Sequence, residues 1–135
     1  VIFDQEILKH SQTKKRPLQI AKEIKVVLSE VFLHGKIYDP ILFDKTIIVS
    51  SVEVSSDLSV AKIMLMMSYP KEEKEKILKA IKKASGFFRS AVAKRLSTKV
   101  VPILHFYIDD SLEKIEKVEK IFQQINNSHG SGQGE

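Results

Sequence analysis

Eight of the 22 lysines and arginines in this 135-residue chain fall in one stretch: Lys76, Lys79, Lys82, Lys83, Arg89, Lys94, Arg95 and Lys99. No aspartate or glutamate stands between Lys76 and Ile108. The chain totals +5, so with eight positive charges in this stretch the remainder sums to −3. Cations without neighbouring anions are suited to holding phosphates or another polyanion. At the centre lies Lys82-Lys83-Ala84-Ser85-Gly86-Phe87-Phe88-Arg89-Ser90, where one helical pattern stops and another starts around small residues. The candidate anion-binding residues are Lys82, Lys83, Ser85, Gly86, Arg89, Lys94, Arg95 and Lys99. Ser85 and Gly86 would bring backbone N–H groups at the start of the third helix, its positive end, close to a phosphate. The arginines would offer planar forks to phosphate oxygens. The plain alternatives are that helix lysines are merely solvated and that Gly86 only terminates a helix. If about five of Lys82, Lys83, Arg89, Lys94, Arg95 and Lys99 meet phosphates of a single strand, they contribute a log–log salt slope of about −3 to −4.

Other chemistries find little support. His10, His34, His105 and His129 are scattered, and no His-x-x-x-His pair, nucleophile motif or Walker loop occurs. Asp109-Asp110 fits helix capping better than acid–base work, with Asp110 and Glu113, or Ser111 alone, as the capping residues. With no cysteine there is no disulfide or thiolate metal site. The expectation is a non-enzyme with no catalytic residue, metal, cofactor or small-molecule substrate. Phe87, Phe88, Phe106 and Tyr107 invite base stacking, but Phe88 and Phe106 fit core positions, which leaves Phe87 and Tyr107. Met64, Met66 and Met67 read as core filler.

The elements that must carry these residues are legible from their periods. After Arg16-Pro17, Ile20, Ala21, Ile24, Val27, Leu28 and Val31 recur at helical spacing, which predicts a first helix from Pro17 to near Gly35. Asp39-Pro40 marks a turn, and the β-branched run from Thr46 to Ser55 reads as a strand. Ser55-Ser56-Asp57 turns the chain into a second strand with Ala61, Ile63, Leu65 and Met67 on one face, paired with the first as a hairpin. Lys71–Lys83 is helical, with Ile77, Ile81 and Ala84 inward and Glu72/Lys76 and Glu75/Lys79 at pairing distance along the helix. Phe88, Ala91, Val92 and Leu96 restart the pattern on a new phase after Gly86. A third strand puts Leu104, Phe106 and Ile108 against His105 and Tyr107. A last helix follows, with Leu112, Ile115, Val118, Phe122 and Ile125 on its apolar face. The order α-β-β-α-kink-α-β-α gives an α+β two-layer sandwich, a three-stranded sheet covered on one face by helices.

Length and a 43% hydrophobic content allow one domain, 16–127, with a flexible segment 1–15 before it and a disordered glycine-rich tail 128–135 after it. The chain does not begin with Met, which suggests a processed or truncated start. No apolar run reaches the roughly 18 residues that span a bilayer, and Asp4 and Glu6 do not fit a targeting peptide. A cytoplasmic monomer without membrane contact is expected.

Four strings in order carry a resemblance: Arg16-Pro17; Val52-Glu53-Val54-Ser55-Ser56-Asp57-Leu58-Ser59-Val60-Ala61-Lys62; Ala84-Ser85-Gly86-Phe87-Phe88-Arg89-Ser90; and Val101-Pro102-Ile103-Leu104-His105-Phe106-Tyr107-Ile108-Asp109-Asp110-Ser111. From about Arg16 to Asn126 the chain resembles the ribosome-binding factor A family. The resemblance implies a variant of the type II KH fold and a non-catalytic assembly factor. Such a factor binds the small ribosomal subunit and its 16S-type rRNA during late maturation. It lacks the Gly-x-x-Gly loop of ordinary KH domains, and only Ala84-Ser85-Gly86 stands in its place. Backbone and shape recognition are therefore expected over base reading. The competing reading is a protein-interaction module that docks a partner through a sheet edge or through the acidic residues Glu113, Glu116 and Glu119 of the last helix.

Overall fold

The computed structural model describes residues 2–35 and 37–133, with side chains described for 15–35, 37–111 and 113–127. Its elements are α1 (Ile2–His34), β1 (Ile48–Val54), β2 (Val60–Met66), α2 (Lys71–Lys83), α3 (Ser85–Ala93), β3 (Ile103–Ile108) and α4 (Ser111–Gln133). The sheet order is β1-β2-β3, with β1 and β2 antiparallel and β2 and β3 parallel. A parallel pair needs a long crossover, and here α2 and α3 supply it. The α+β architecture and the element order are those expected from the periodicities.

Helices cover one face of the sheet. Ala61, Ile63 and Leu65 of β2 and Leu104 and Phe106 of β3 point into the core, where they meet Ile20, Ile24 and Leu28 of α1, Ile77 and Ile81 of α2, and Phe88 and Val92 of α3. Phe88 sits at the centre of an aromatic group, its ring 5.0 Å from Phe32, 5.4 Å from Phe87 and 5.6 Å from Phe106. In β1 the alternation skips a step. Ile47 and Val49 are buried ahead of it, and Val52 and Val54 pack against the core after it. The pairing register shifts between Val49 and Ser51, so Ser50 is the extra residue of a β-bulge. Met67 is buried, whereas Met64 and Met66 lie half-buried on the other face of β2, so only one of the three methionines fills the core.

Two element boundaries and the placement of one helix depart from the sequence reading. α1 begins at Ile2 rather than Pro17, and Pro17 lies inside it. Gln5, Glu6, Leu8, Lys9, Gln12, Lys14, Lys15 and Arg16 are good helix formers, and extending a helix is far easier than nucleating one. α4 likewise runs on through Ser128 to Gln133, where a tail was expected, while Gly134 and Glu135 lie outside the described residues. Third, α4 does not join the helical layer. Its described apolar residues Ile115, Val118, Ile121, Phe122 and Ile125 are 47–61% exposed and none belongs to the core cluster.

Local contacts set where each element starts. The expected cap of α4 is displaced by one residue: Asp109, not Asp110, accepts the Ser111 N–H at 2.9 Å. Its other oxygen accepts the Ser50 hydroxyl at 2.7 Å, which ties the bulge of β1 to the start of α4. These donors hold the Asp109 carboxyl below the usual carboxylate range, the Ser111 hydroxyl foremost. Glu113 pairs with Lys74 of α2, which is buried to 6% exposure. Glu73 pairs with Lys45. The Glu72/Lys76 and Glu75/Lys79 pairs do not close, since among the described residues the ion pairs are Lys45–Glu73, Lys74–Glu113, Arg95–Glu30 and Lys114–Asp110.

Candidate nucleic-acid interface

The α2–α3 junction is built from the core outward. α2 ends at Lys83, Ala84 is the single residue between the helices at φ −93° and ψ 16°, and α3 starts at Ser85. The Phe87 and Phe88 N–H groups both donate to the Ala84 carbonyl, at 3.0 and 3.3 Å, so a tight turn leads directly into the next helix. Gly86 therefore does not end α2. It is the second residue of α3, with a negative φ, and a Cβ added there would meet nothing within 4 Å. The kink rests on a change of helix phase at Ala84, not on a left-handed glycine.

With Phe88 and Val92 fixed in the core, the opposite side of the junction faces solvent. Lys82, Lys83, Gly86, Arg89, Lys94, Arg95 and Lys99 are exposed, and Ser85 is half-buried at the first turn of α3. Lys82 and Lys83 occupy the last turn of α2, where cations complement the negative end of the helix dipole. The Arg89 guanidinium donates to the Val101 carbonyl at 3.0 Å, which braces the side chain against the segment leading into β3. A guanidinium has five donors, so the brace leaves others for a ligand.

The stretch without acids in sequence is not without them in space. Glu30 of α1 pairs with Arg95, and Glu23 accepts both the N–H and the hydroxyl of Ser97, at 2.9 and 2.8 Å. Arg95 holds the Glu30 carboxyl below the usual range through its hydrogen bond and its charge. Both partners are about half exposed, so solvent screens the pair and leaves it open to competition from another anion. Glu23 and Glu30 are seven residues apart, two helical turns, so they share one face of α1. That spacing was the available signal for an acidic pair beside α3.

The two aromatic candidates do not share a site. Phe87 lies in the helical layer, 46% exposed and edge-on to Phe88. Tyr107 is on the open face of the sheet, with the Lys62 ammonium 5.6 Å from its ring centre. Strand addition at β1 meets an obstacle, because the Lys25 ammonium donates to the Ser50 carbonyl at 3.3 Å beside the bulge. Lysines and bulges of this kind blunt a sheet edge. In α4, Glu113 is engaged with Lys74, while Lys114, Lys117 and Lys120 alternate with Glu116 and Glu119. At three-residue spacing Glu113, Glu116 and Glu119 share one stripe of the helix and the three lysines the adjoining one, so the acidic stripe is flanked by cations and its first member is already paired. Among the described residues no group of three or more His, Cys, Asp or Glu could hold a metal ion, and no helix is long and apolar enough to cross a membrane.

The profile of the family described as Ribosome-binding factor A matches residues 16–122. The chain belongs to the ribosome-binding factor A family. Its relatives include Ribosome-binding factor A of Staphylococcus carnosus, 32% identical over 84% of this chain and 96% of that protein. The corresponding protein of Thermodesulfovibrio yellowstonii is 34% identical over 82% of this chain and 93% of its own length. Among solved structures, a Thermotoga maritima ribosome-binding factor A studied in solution aligns with a TM-score of 0.60 and 30% identity, covering 70% of this chain and 87% of that one. The crystal structure of ribosome-binding factor A from Thermus thermophilus aligns with a TM-score of 0.56 at 25% identity, covering 68% and 94%. A homology model of Thermus thermophilus ribosome-binding factor A, as fitted into the cryo-electron-microscopy map of a 30S complex with that factor, aligns at 0.54 with 26% identity, covering 67% and 91%. The KH-like two-layer fold of this chain is that of the family.

Proposed function

We propose that this chain binds the small ribosomal subunit in the cytoplasm, on the backbone of its 16S-type rRNA, during late maturation, and that it acts without catalysis. The observation that carries the reading is the family match, joined to a Thermus thermophilus relative placed in a 30S complex. Residues 16–127 form the RNA-binding domain. Lys82, Lys83, Arg89, Lys94 and Lys99 supply the cations, and Ser85 and Gly86 bring the first N–H groups of α3 to a phosphate. Arg95 joins them only when Glu30 releases it.

The mechanism is occupancy. A bound protein shifts a conformational equilibrium only as far as it binds one state more tightly. The chain therefore binds an immature arrangement of the subunit, stabilises it, and leaves when the mature arrangement forms. The test is to measure affinity for immature and mature small subunits at one salt concentration. Tighter binding to the immature particle is expected; equal affinity would overturn the mechanism.

A further inference from the structure

α1 carries a second set of cations outside the α2–α3 ridge. Lys15, Arg16, Lys22 and Lys25 are all exposed, and between residues 15 and 34 the carboxylates are Glu23 and Glu30. Both carboxylates are committed to the end of α3, Glu23 on Ser97 and Glu30 on Arg95. Lys25 is turned toward β1, where it donates to Ser50. Among the described residues Lys15, Arg16 and Lys22 lie in no ion pair.

Helical spacing sorts these three. Lys15 and Lys22 stand seven residues apart, about 10.5 Å along the axis, on the side away from the core. Arg16 is seven residues before Glu23 and fourteen before Glu30, on the edge facing α3. Lys22 lines the groove between α1 and the end of α3 together with Glu23, Val26, Val27 and Arg95. At that groove the arginine is already held by Glu30, so the lysine is the cation left to face a ligand.

We infer that Lys15, Arg16 and Lys22 of α1 form a second phosphate-contacting track, with Lys22 serving where Arg95 is occupied. The bound RNA backbone then reaches from the α2–α3 ridge across to α1. The inference rests on the rRNA-binding reading above and extends its footprint to a helix that the charge run in the sequence does not include.

The test is cosedimentation of the full chain with small subunits across a monovalent salt series. It compares the wild type, the α1 variant K15A/R16A/K22A, the ridge variant K82A/K83A/R89A and the charge-preserving K15R/K22R. Three lost single-strand contacts make the log–log slope of the α1 variant shallower by about 2, and K15R/K22R keeps the wild-type slope. Thermal melts report folding. Should the triple variant melt early, the single exposed changes Lys15→Gln and Lys22→Gln replace it, each expected to remove about 0.7 of slope. A wild-type slope in the α1 variants beside a flattened ridge variant overturns this inference and leaves the function standing. A loss of slope in K15R/K22R also overturns it, because the effect is then structural. If neither the ridge nor the α1 variant changes the slope, the rRNA-backbone reading itself fails.

Discussion

At the scale of single residues, a carboxylate held in a turn and a buried ammonium on a helix are the clearest cases. Asp57 at the β1–β2 turn accepts the Ser55 hydroxyl at 2.7 Å, the Ser59 hydroxyl at 2.7 Å and the Ser59 N–H at 3.1 Å. These bonds, that from the Ser59 hydroxyl first, hold its carboxyl at about 2 against an ordinary 3.8. A carboxyl depressed on folding stabilises above its unfolded pKa and loses that contribution as pH falls through the folded one. The wild type should therefore be more stable than Asp57→Asn at pH 6, and the gap should close between about pH 4 and pH 2. Paired melts would read this, and a gap independent of pH would count against it. Lys74 makes a second case, since it is buried and its ion-pair partner is Glu113. Glu113→Ala strands the ammonium and should cost about 1–3 kcal/mol in urea unfolding, whereas Lys74→Met should be nearly neutral. The Ser55-Ser56-Asp57 turn was legible because its residue types mark turns. The Lys74–Glu113 pair was not, because it joins positions 39 residues apart that sequence periodicity does not relate.

At the scale of elements, the two internal glycines exchange the roles their surroundings suggest. Gly86 looked like a helix terminator, but it sits inside α3 with open space around it. At Gly35, just past α1, a Cβ would run into the Val31 carbonyl. Gly86→Ala should stabilise by about 0.4–1 kcal/mol, and Gly35→Ala should destabilise by more than that. Denaturant midpoints for the two variants decide the matter. The strands and α2 were legible because their periods switch sharply between 2 and 3.6 and each has one buried face. Proline and glycine are local signals that mark ends for α1 and α4, and cooperative helix extension overrides both. α4 was assigned to the covering layer because it is amphipathic, and amphipathicity alone does not say which surface, if any, it meets. Changing Val118, Phe122 and Ile125 together to Gln should therefore leave stability within about 0.5 kcal/mol per site, as for surface positions. A loss of several kcal/mol would place that seam in the folded core.

For the whole molecule, the concentration of positive charge was legible as a charge run, and the exposure of its cations follows from the burial of Phe88 and Val92 between them. Its limits were not legible. The neutralising Glu30 and the added cations of α1 arrive by packing of a helix more than 60 residues away in sequence, as the Glu30–Arg95 hydrogen bond across 65 positions shows. The central claim is that this surface holds ribosomal RNA by its phosphates. The most direct measurement is the salt dependence of small-subunit binding for the wild type and for a ridge variant carrying Ala at Lys82, Lys83, Arg89, Lys94 and Lys99. Five lost contacts should flatten the log–log slope by about 3 to 4, with the fold intact by thermal melt. A folded ridge variant that keeps the wild-type slope would contradict the account.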